Sequence, residues 1–520
     1  MKTVRQVHEN ICSSKDEILL LFLLFSVTVI TRIPFTSKLL YHWDSVQFAL
    51  ALEDYDITVH QPHPPGYFLY VMLGRLINFF VKDANSTFIF ISILFSGLAV
   101  VAIYYLGKEI FDKKTGILAA LIALTSPNLW FHGEVALTYV VEAFFSSFAA
   151  LLCWRILKGE HKYLWLSVII LGIAGGIRQN TVVFLFPLWL FAVKGVTLRK
   201  IIASLGLLGL VCLLWFIPMV WMTGGWNAYN EALRELWEFN TGHVSVFEQG
   251  WASFKIFSSA LVKFIIYGVG AGIFILGIAM YSLIRHKKLG SLDRQKTFFF
   301  LLWITPSVLF YLLIFIHPAN PGYVLIFTPA LLILTAAAIG FISDDLKRLM
   351  KKDLAPLIAS IIIVINTTMF FVYNYVSYRE IRTHDRDLSI MFDGIKSFPP
   401  ENTAIFVEPY IFYGFRHIMY YLPEYRVYLV DVRITPTGER RKTSWGIHGE
   451  TFLSNDVVIP PDVNMFIIPT LTDIGDKVSR IKGASIKKLS SGMFIASGPI
   501  VLIQEIFPEL ILKSHKDHGT

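Results

Sequence analysis

The chain has 520 residues, of which 55% are hydrophobic and only 16% charged, with a net charge of +8 and a mean hydropathy of +0.58. About a quarter of the residues in an ordinary soluble domain are charged, and here apolar runs of about 18 residues or more recur along most of the length, so a soluble globular protein is excluded. The positive charge is no nucleic-acid footprint either, because the basic residues fall in short loops between apolar runs, as orientation signals do.

Residues 1–16 are polar and basic, and the first apolar run covers about 17–35. No small-residue cleavage site follows it, so it reads as a retained span. Next comes a polar stretch, YHWDSVQFALALEDYDITVHQPHPPGYFLY, from Tyr41 to Tyr70. Its section Phe48–Leu52 suggests a short amphipathic helix on the membrane surface, and Gly66–Val81, with Arg75 and then Lys82, a second interfacial helix. Further spans are predicted at 86–107, 115–131, 138–154, 163–178, 181–193, 201–222, 256–284, 297–316, 321–342 and 355–376, giving eleven in all. Lys and Arg number 21 in the loops on one side, from the N-terminus and 108–114 to 343–353. The loops on the other side carry only Lys38, Arg178, Arg234 and Lys255. The positive-inside rule then places the N-terminus in the cytoplasm and the Tyr41–Tyr70 stretch outside. An odd number of spans places the tail outside as well.

The tail, 377–520, is different material. Short β-rich runs at Thr403–Val407, Arg426–Val430 and Met465–Ile468 alternate with a helical candidate at Phe412–Tyr421, and Pro- and Gly-containing turns separate them. The predicted organisation is a polytopic α-helical membrane domain, 1–376, with a first external loop 36–82, followed by a small extracytoplasmic α/β domain, 377–520. The cysteines, Cys12, Cys153 and Cys212, are scattered and form neither a disulfide framework nor a CxxC metal pair.

Acids and imidazoles are costly near lipid, so their clustering in Tyr41–Tyr70 points to chemistry. Asp44, beside Trp43 and about ten residues past the first span, is placed to act as a general base toward an acceptor hydroxyl. A helix N-cap or a solvated loop acid is the plainer alternative, and the same holds for Glu53, Asp54 and Asp56. In His60-Gln-Pro-His63-Pro-Pro-Gly-Tyr67 the prolines fix φ while Gly66 permits a turn. His60, His63 and Tyr67 could there meet a phosphate, or join carboxylates around a divalent cation, although the spacing matches no strong ligand pattern. Glu134 follows the third span, and Tyr139 and Glu142 open the fourth, three residues apart on one helical face. Arg178 stands on the charge-poor side and needs a reason. A lipid phosphate would supply one, as would an ion pair with Glu134 or Glu142. His317-Pro-Ala-Asn-Pro-Gly-Tyr323 brings another imidazole and phenol to the same face. The loop from Trp221 to Lys255, with His243 and Glu248, could cover a cavity, and the aromatic run Tyr413–Tyr421 is best explained by packing.

The order of these elements resembles integral-membrane glycosyltransferases of the GT-C class. A first span, an external loop opening with Trp43-Asp44, an H-P-P-G-Y turn at His63–Tyr67, ten further spans and an external α/β tail carry the likeness. It is strongest to the protein mannosyltransferase superfamily, which includes the aminoarabinose transferases; the layout agrees over about 17–345, the motifs over 41–75. The resemblance implies a polyprenyl- or dolichyl-phosphate sugar as donor and Asp44 as catalytic base. It implies Arg178 at the donor phosphate, with His63, Tyr67, His317 and Tyr323 as further candidates there. Glu142, Tyr139, His60 and Glu134 become candidates for the sugar or the acceptor. Some relatives use a divalent cation and others do not; the acid pairs common among them are replaced here by Ser45 and Val46 after Asp44. No other cofactor and no nucleic acid is implied, and the acceptor is left open among protein, lipid and glycan. The rival readings are a transporter or flippase of lipid-linked sugars, which would show related halves and broken helices, and a polymerase or ligase of lipid-linked oligosaccharides.

Overall fold

The computed structural model describes residues 2–240, 244–287, 290, 292–407, 414–430, 456–470, 478–490, 492–507 and 511–514. It divides into two compact units. One comprises residues 1–36 and 67–380, and the other 37–66 with 381–520. The loop after the first helix thus groups with the tail through residue 66, whereas the expected division, 1–376 and 377–520, kept all of it with the membrane part.

The first unit is helical, and eight of its helices are long and apolar enough to cross a membrane. The helix Tyr139–Leu157 is buried along nearly its whole length, with only Phe144, Phe148 and Arg155 among its first seventeen residues reaching partial exposure. Such an all-round apolar helix belongs at the centre of a bundle. Ser146, one of its few polar side chains, donates from Oγ to Ile326 O at 2.5 Å and accepts from Trp303 Nε1 at 2.7 Å. Against it pack Ala84–Ile110, Leu164–Ile177, Asn180–Ala192 and Thr328–Met350. The first helix, by contrast, turns Ile18, Phe22, Leu23 and Ile30 outward, as a lipid-facing span must.

Two predicted spans are each two helices. The run 115–131 breaks at Ser126-Pro127 into Lys113–Thr125 and Pro127–His132, because proline lacks the N–H that would continue the ladder. The run 256–284 breaks at Gly270, between Trp251–Val269 and Gly272–Arg285. Gly270 has φ +63, and a Cβ there would overlap the Asn366 amide, whose Oδ1 accepts the Ala271 N–H at 2.8 Å. Only glycine fits that turn. The predicted interfacial helix after the HPPGY turn is present as Phe68–Val81, with Leu76, Phe79 and Phe80 exposed.

In the second unit, five strands form one sheet in the order β2-β1-β4-β6-β5: β1 is Thr403–Val407, β2 Arg426–Leu429, β4 Met465–Thr470, β5 Ser485–Ser490 and β6 Met493–Pro499. β1 runs parallel to β2 and β4, while β6 runs antiparallel to β4 and β5. β3, Asp456–Ile459, pairs separately with β7, Ile511–Ser514. Successive residues of β1 face opposite ways, Ala404 and Phe406 into one core and Ile405 and Val407 into another. Both faces are covered, which is why β1 reads as an unbroken apolar run. The second core also holds Trp43, Leu388, Phe392, Phe415 and Ile418. Residues 43–53 therefore form a helix packed into this unit, with Trp43, Val46, Phe48, Ala49 and Ala51 buried, and no surface helix at Phe48–Leu52. The tail helix begins at Phe415; Tyr413, like His243, lies outside the described residues.

Candidate functional site

In the second unit, the helix Trp43–Glu53 starts on a capping box: His42 Nδ1 accepts the Asp44 N–H at 3.0 Å, and Ser45 Oγ accepts the His42 N–H at 3.3 Å. This puts Asp44 in the first turn, where the helix dipole favours a carboxylate. Gln47, three residues on, shares its face and lies 2.6 Å by Oε1 from His63 Nδ1. Asp44 Oδ1 is 3.7 Å from the same nitrogen, and Asp44 Oδ2 is 3.5 Å from His42 Nδ1. Since His42 Nδ1 accepts a backbone N–H, it presents a lone pair to the carboxylate, and that short distance is no ion pair. His63, bonded to an amide oxygen, carries its proton on Nδ1 and steadies the Asp44 side of the cluster. Asp44 is partly exposed beside these two imidazoles.

The neighbouring acids are used otherwise. Asp56 Oδ1 accepts from Thr58 N at 2.8 Å and Thr58 Oγ1 at 2.7 Å, closing a turn, while the Asp56 and Gln61 backbones pair at 2.8 Å in both directions. The turn beyond contains cis bonds at Gln61-Pro62 and Pro64-Pro65. Tyr55 Oη donates to Gly66 O at 2.7 Å. His60 is buried in the left-handed region, with φ 57, and burial, then Arg416, holds its imidazole well below the usual histidine range. It is a neutral packing group there. Arg416, in the aromatic run best explained by packing, is wholly buried and donates to Val59 O at 2.8 Å, and burial brings its guanidinium down to about 9. Among the described residues no group of three or more His, Cys, Asp and Glu could hold a metal ion.

In the first unit, Arg178 ends the helix Leu164–Ile177, and Tyr139 and Glu142 lie in the first turn of Tyr139–Leu157. Three phenol rings surround the guanidinium, with Cζ 4.4 Å from the Tyr139 centroid, 5.3 Å from Tyr323 and 5.8 Å from Tyr67. Arg178 Nη1 donates to Thr138 Oγ1 at 3.2 Å, and Thr181 Oγ1 donates to Glu142 Oε1 at 2.8 Å. Arg178 Nε and Glu142 Oε2 are 3.4 Å apart, yet neither atom has a hydrogen-bond partner among the described residues. The pair is held by charge, without a directed bond, and part of the guanidinium fork is left for another acceptor. Tyr311, wholly buried, packs its ring 5.4 Å from Tyr323, and its hydroxyl has no hydrogen-bond partner among the described residues. The turn 320–322 locks this cage: Asn320 Nδ2 donates to Tyr139 Oη at 2.8 Å, and Gly322 lies so close under the Tyr139 ring that any Cβ would overlap it.

Five predicted residues thus converge here: Arg178, Tyr67, Tyr139, Glu142 and Tyr323. Two others do not join them in the contacts described. His317 stays in its own turn, where Nδ1 accepts the Ala319 N–H at 3.3 Å. Glu134, wholly buried, accepts from Trp130 Nε1 at 2.6 Å, and the Arg32 guanidinium stacks 4.3 Å from that same indole. This is a separate buried charge cluster, in which Arg32 Nη2 also donates to Leu124 O at 2.7 Å. Arg32 was missed, although it carries the signal that singled out Arg178: a lone arginine at the end of an apolar span.

The bundle, with its buried arginine cage at one end of the spans and its small sheet domain, has the architecture of the GT-C class of integral-membrane glycosyltransferases. Residues 62–222 match the family model described as dolichyl-phosphate-mannose-protein mannosyltransferase. Among solved structures, the chain is similar to ArnT from Cupriavidus metallidurans bound to undecaprenyl phosphate, at 10% identity and a TM-score of 0.57 over 93% of this chain and 98% of that one. It is also similar to the apo state of the same ArnT, at 12% identity and a TM-score of 0.51 with the same coverage. No curated protein matches the chain in sequence. The chain is a multi-pass membrane protein with an ArnT-like fold.

Proposed function

We propose that the chain is a glycosyltransferase that moves a sugar from a polyprenyl-phosphate donor to an acceptor on the external face of the membrane. The Arg178 cage carries this reading: a buried guanidinium whose Nε has no hydrogen-bond partner among the described residues, ringed by phenols, suits a further anion, and a lipid phosphate is such an anion. The residues matched by the mannosyltransferase model include Arg178, Tyr67, Tyr139 and Glu142. The ArnT structure to which the chain is similar holds undecaprenyl phosphate.

In the proposed reaction Asp44 takes the proton of the acceptor hydroxyl as that oxygen attacks the anomeric carbon of the sugar. The bond from the anomeric carbon to the phosphate oxygen breaks, and its electron pair leaves with the lipid phosphate. Negative charge grows on the leaving group, and the Arg178 guanidinium, with the hydroxyls of Tyr67 and Tyr323 as further donors, stabilises it. Glu142 and Tyr139 orient Arg178 for that task. His63 and Gln47 hold the Asp44 turn. A hexose is the expected sugar; the acceptor is a protein, lipid or glycan hydroxyl.

The test is reconstitution in proteoliposomes with a radiolabelled polyprenyl-phosphate hexose and a mixture of candidate acceptors. Transfer of label with release of polyprenyl phosphate is expected. If no donor is consumed while a lipid-linked sugar changes leaflet, the flippase reading replaces this one.

A further inference from the structure

We infer that the outward face of the helix Trp251–Val269 is a binding site for an anionic glycerophospholipid of the surrounding bilayer. This helix is apolar and long enough to cross a membrane, yet its contacts are with the ends of other helices. Ser126, just past Lys113–Thr125, donates from Oγ to Gly268 O at 2.6 Å. Gly268 abuts Thr328, the first residue of Thr328–Met350. Phe257, Leu261 and Phe264 share a core with Tyr311 and Val324, at the end of Arg294–Leu313 and in the turn that follows. Contacts of that kind along its length place the helix beside the bundle's edge, where an interfacial helix lies.

The opposite face forms a groove of about 550 Å³. Its lining mixes apolar side chains, among them Trp251, Val262 and Ile266, with the hydroxyls of Ser258 and Ser259 and the ammonium groups of Lys255 and Lys263. Trp251, Val262 and Ile266 are exposed. Apolar residues alone would need only lipid tails; the two lysines require something more. Lys255 is one of four basic residues in loops otherwise depleted of them, and it forms no ion pair with any described residue. Lys263, eight residues and so about 12 Å further along the helix, lies 3.5 Å from the Tyr375 ring centroid and within electrostatic reach of Glu380. Lys255 is therefore the cation offered to a phosphate, Lys263 strengthens the field partly offset by Glu380, and the acyl chains lie over Val262 and Ile266. The donor lipid is not the expected occupant. Its proposed phosphate site includes Tyr323, which with Tyr311 packs on the buried face of this same helix.

The full chain, purified in detergent, is examined by native mass spectrometry with added phosphatidylglycerol or phosphatidylcholine. Retention of phosphatidylglycerol alone is expected, with about a tenfold or greater loss of its affinity in Lys255→Gln/Lys263→Gln and near-normal retention in Lys255→Arg/Lys263→Arg. Should the glutamine variant fail to fold, the comparison of the two lipids on the wild type and the arginine variant still decides. Equal retention of both lipids, an unchanged affinity in a folded glutamine variant, or displacement of phosphatidylglycerol by equimolar polyprenyl phosphate would overturn the assignment.

Discussion

Among the described residues of the helical unit, Arg32 and Arg178 are buried, and their surroundings differ. Arg32 spends its hydrogen bonds on Leu124 O and Thr31 Oγ1, stacks on Trp130, and faces a Glu134 already bonded to that indole. Arg178 gives one bond to Thr138, meets its carboxylate without a directed bond, and is otherwise surrounded by aromatic faces. Each guanidinium keeps an Nε without a hydrogen-bond partner among the described residues. They differ in that Arg32 gives two hydrogen bonds and stacks on one indole, whereas Arg178 gives one and is ringed by three phenols, a setting suited to a bound anion.

The largest effect that would sharpen this contrast is on turnover. Asp44→Asn removes the base and is expected to lower kcat by a factor on the order of 10² to 10⁴, with donor affinity retained, as measured by initial rates and by equilibrium binding of the donor. Arg178→Met is expected to weaken donor binding and slow transfer together, by about 10² or more. Arg178→Lys should recover little, because an ammonium cannot stack on the Tyr139 and Tyr323 rings as a planar fork does. Arg178→Met also leaves Glu142 buried and uncompensated, so a loss of stability of about 3–5 kcal/mol accompanies it. Arg178→Met/Glu142→Gln should regain most of that stability, read by thermal unfolding, and none of the activity. In the Arg32 cluster the pattern reverses: Glu134→Gln is expected to lower stability by about 1–3 kcal/mol and leave the donor KM unchanged. Equal losses of donor affinity at Glu134 and Glu142 would break the comparison.

A smaller effect follows from pH. Burial, and then neighbouring charged or imidazole groups, holds His60 and His417 well below their usual 6.5. A histidine whose folded pKa is depressed contributes its full stability above the unfolded value and loses it as the unfolded chain gains protons. The unit formed by 37–66 and 381–520 should therefore weaken progressively as pH falls below 6.5, seen as faster hydrogen exchange in Thr403–Val407. The first unit's helices should show no matching change in that window.

The sequence disclosed the membrane class, the α/β tail and most helix positions, because hydropathy and turn residues act locally. It also disclosed the Arg178 cage piecewise: Tyr139 and Glu142 from helical spacing, Arg178 from its charge against the loop trend, Tyr67 and Tyr323 from their Pro-Gly-Tyr turns. What it did not disclose depends on distant partners. Gly270 reads as an ordinary small residue in an apolar run until Asn366 is brought against it. The helix at Trp43 looks fit for a membrane surface until Phe415 and Leu388 cover it. Arg416 looks like a helix-surface charge, yet it ends up buried against Val59 O, 357 residues away in sequence. Gln47 carried a legible signal in its spacing from Asp44, but nothing local tied it to His63.

The most direct test of the central claim is single-turnover transfer from a labelled polyprenyl-phosphate hexose by wild type, Asp44→Asn and Arg178→Met in the same proteoliposomes. The account predicts rapid transfer by wild type, donor bound but unreacted on Asp44→Asn, and weak binding by Arg178→Met. Wild-type rates of transfer by either variant would contradict it.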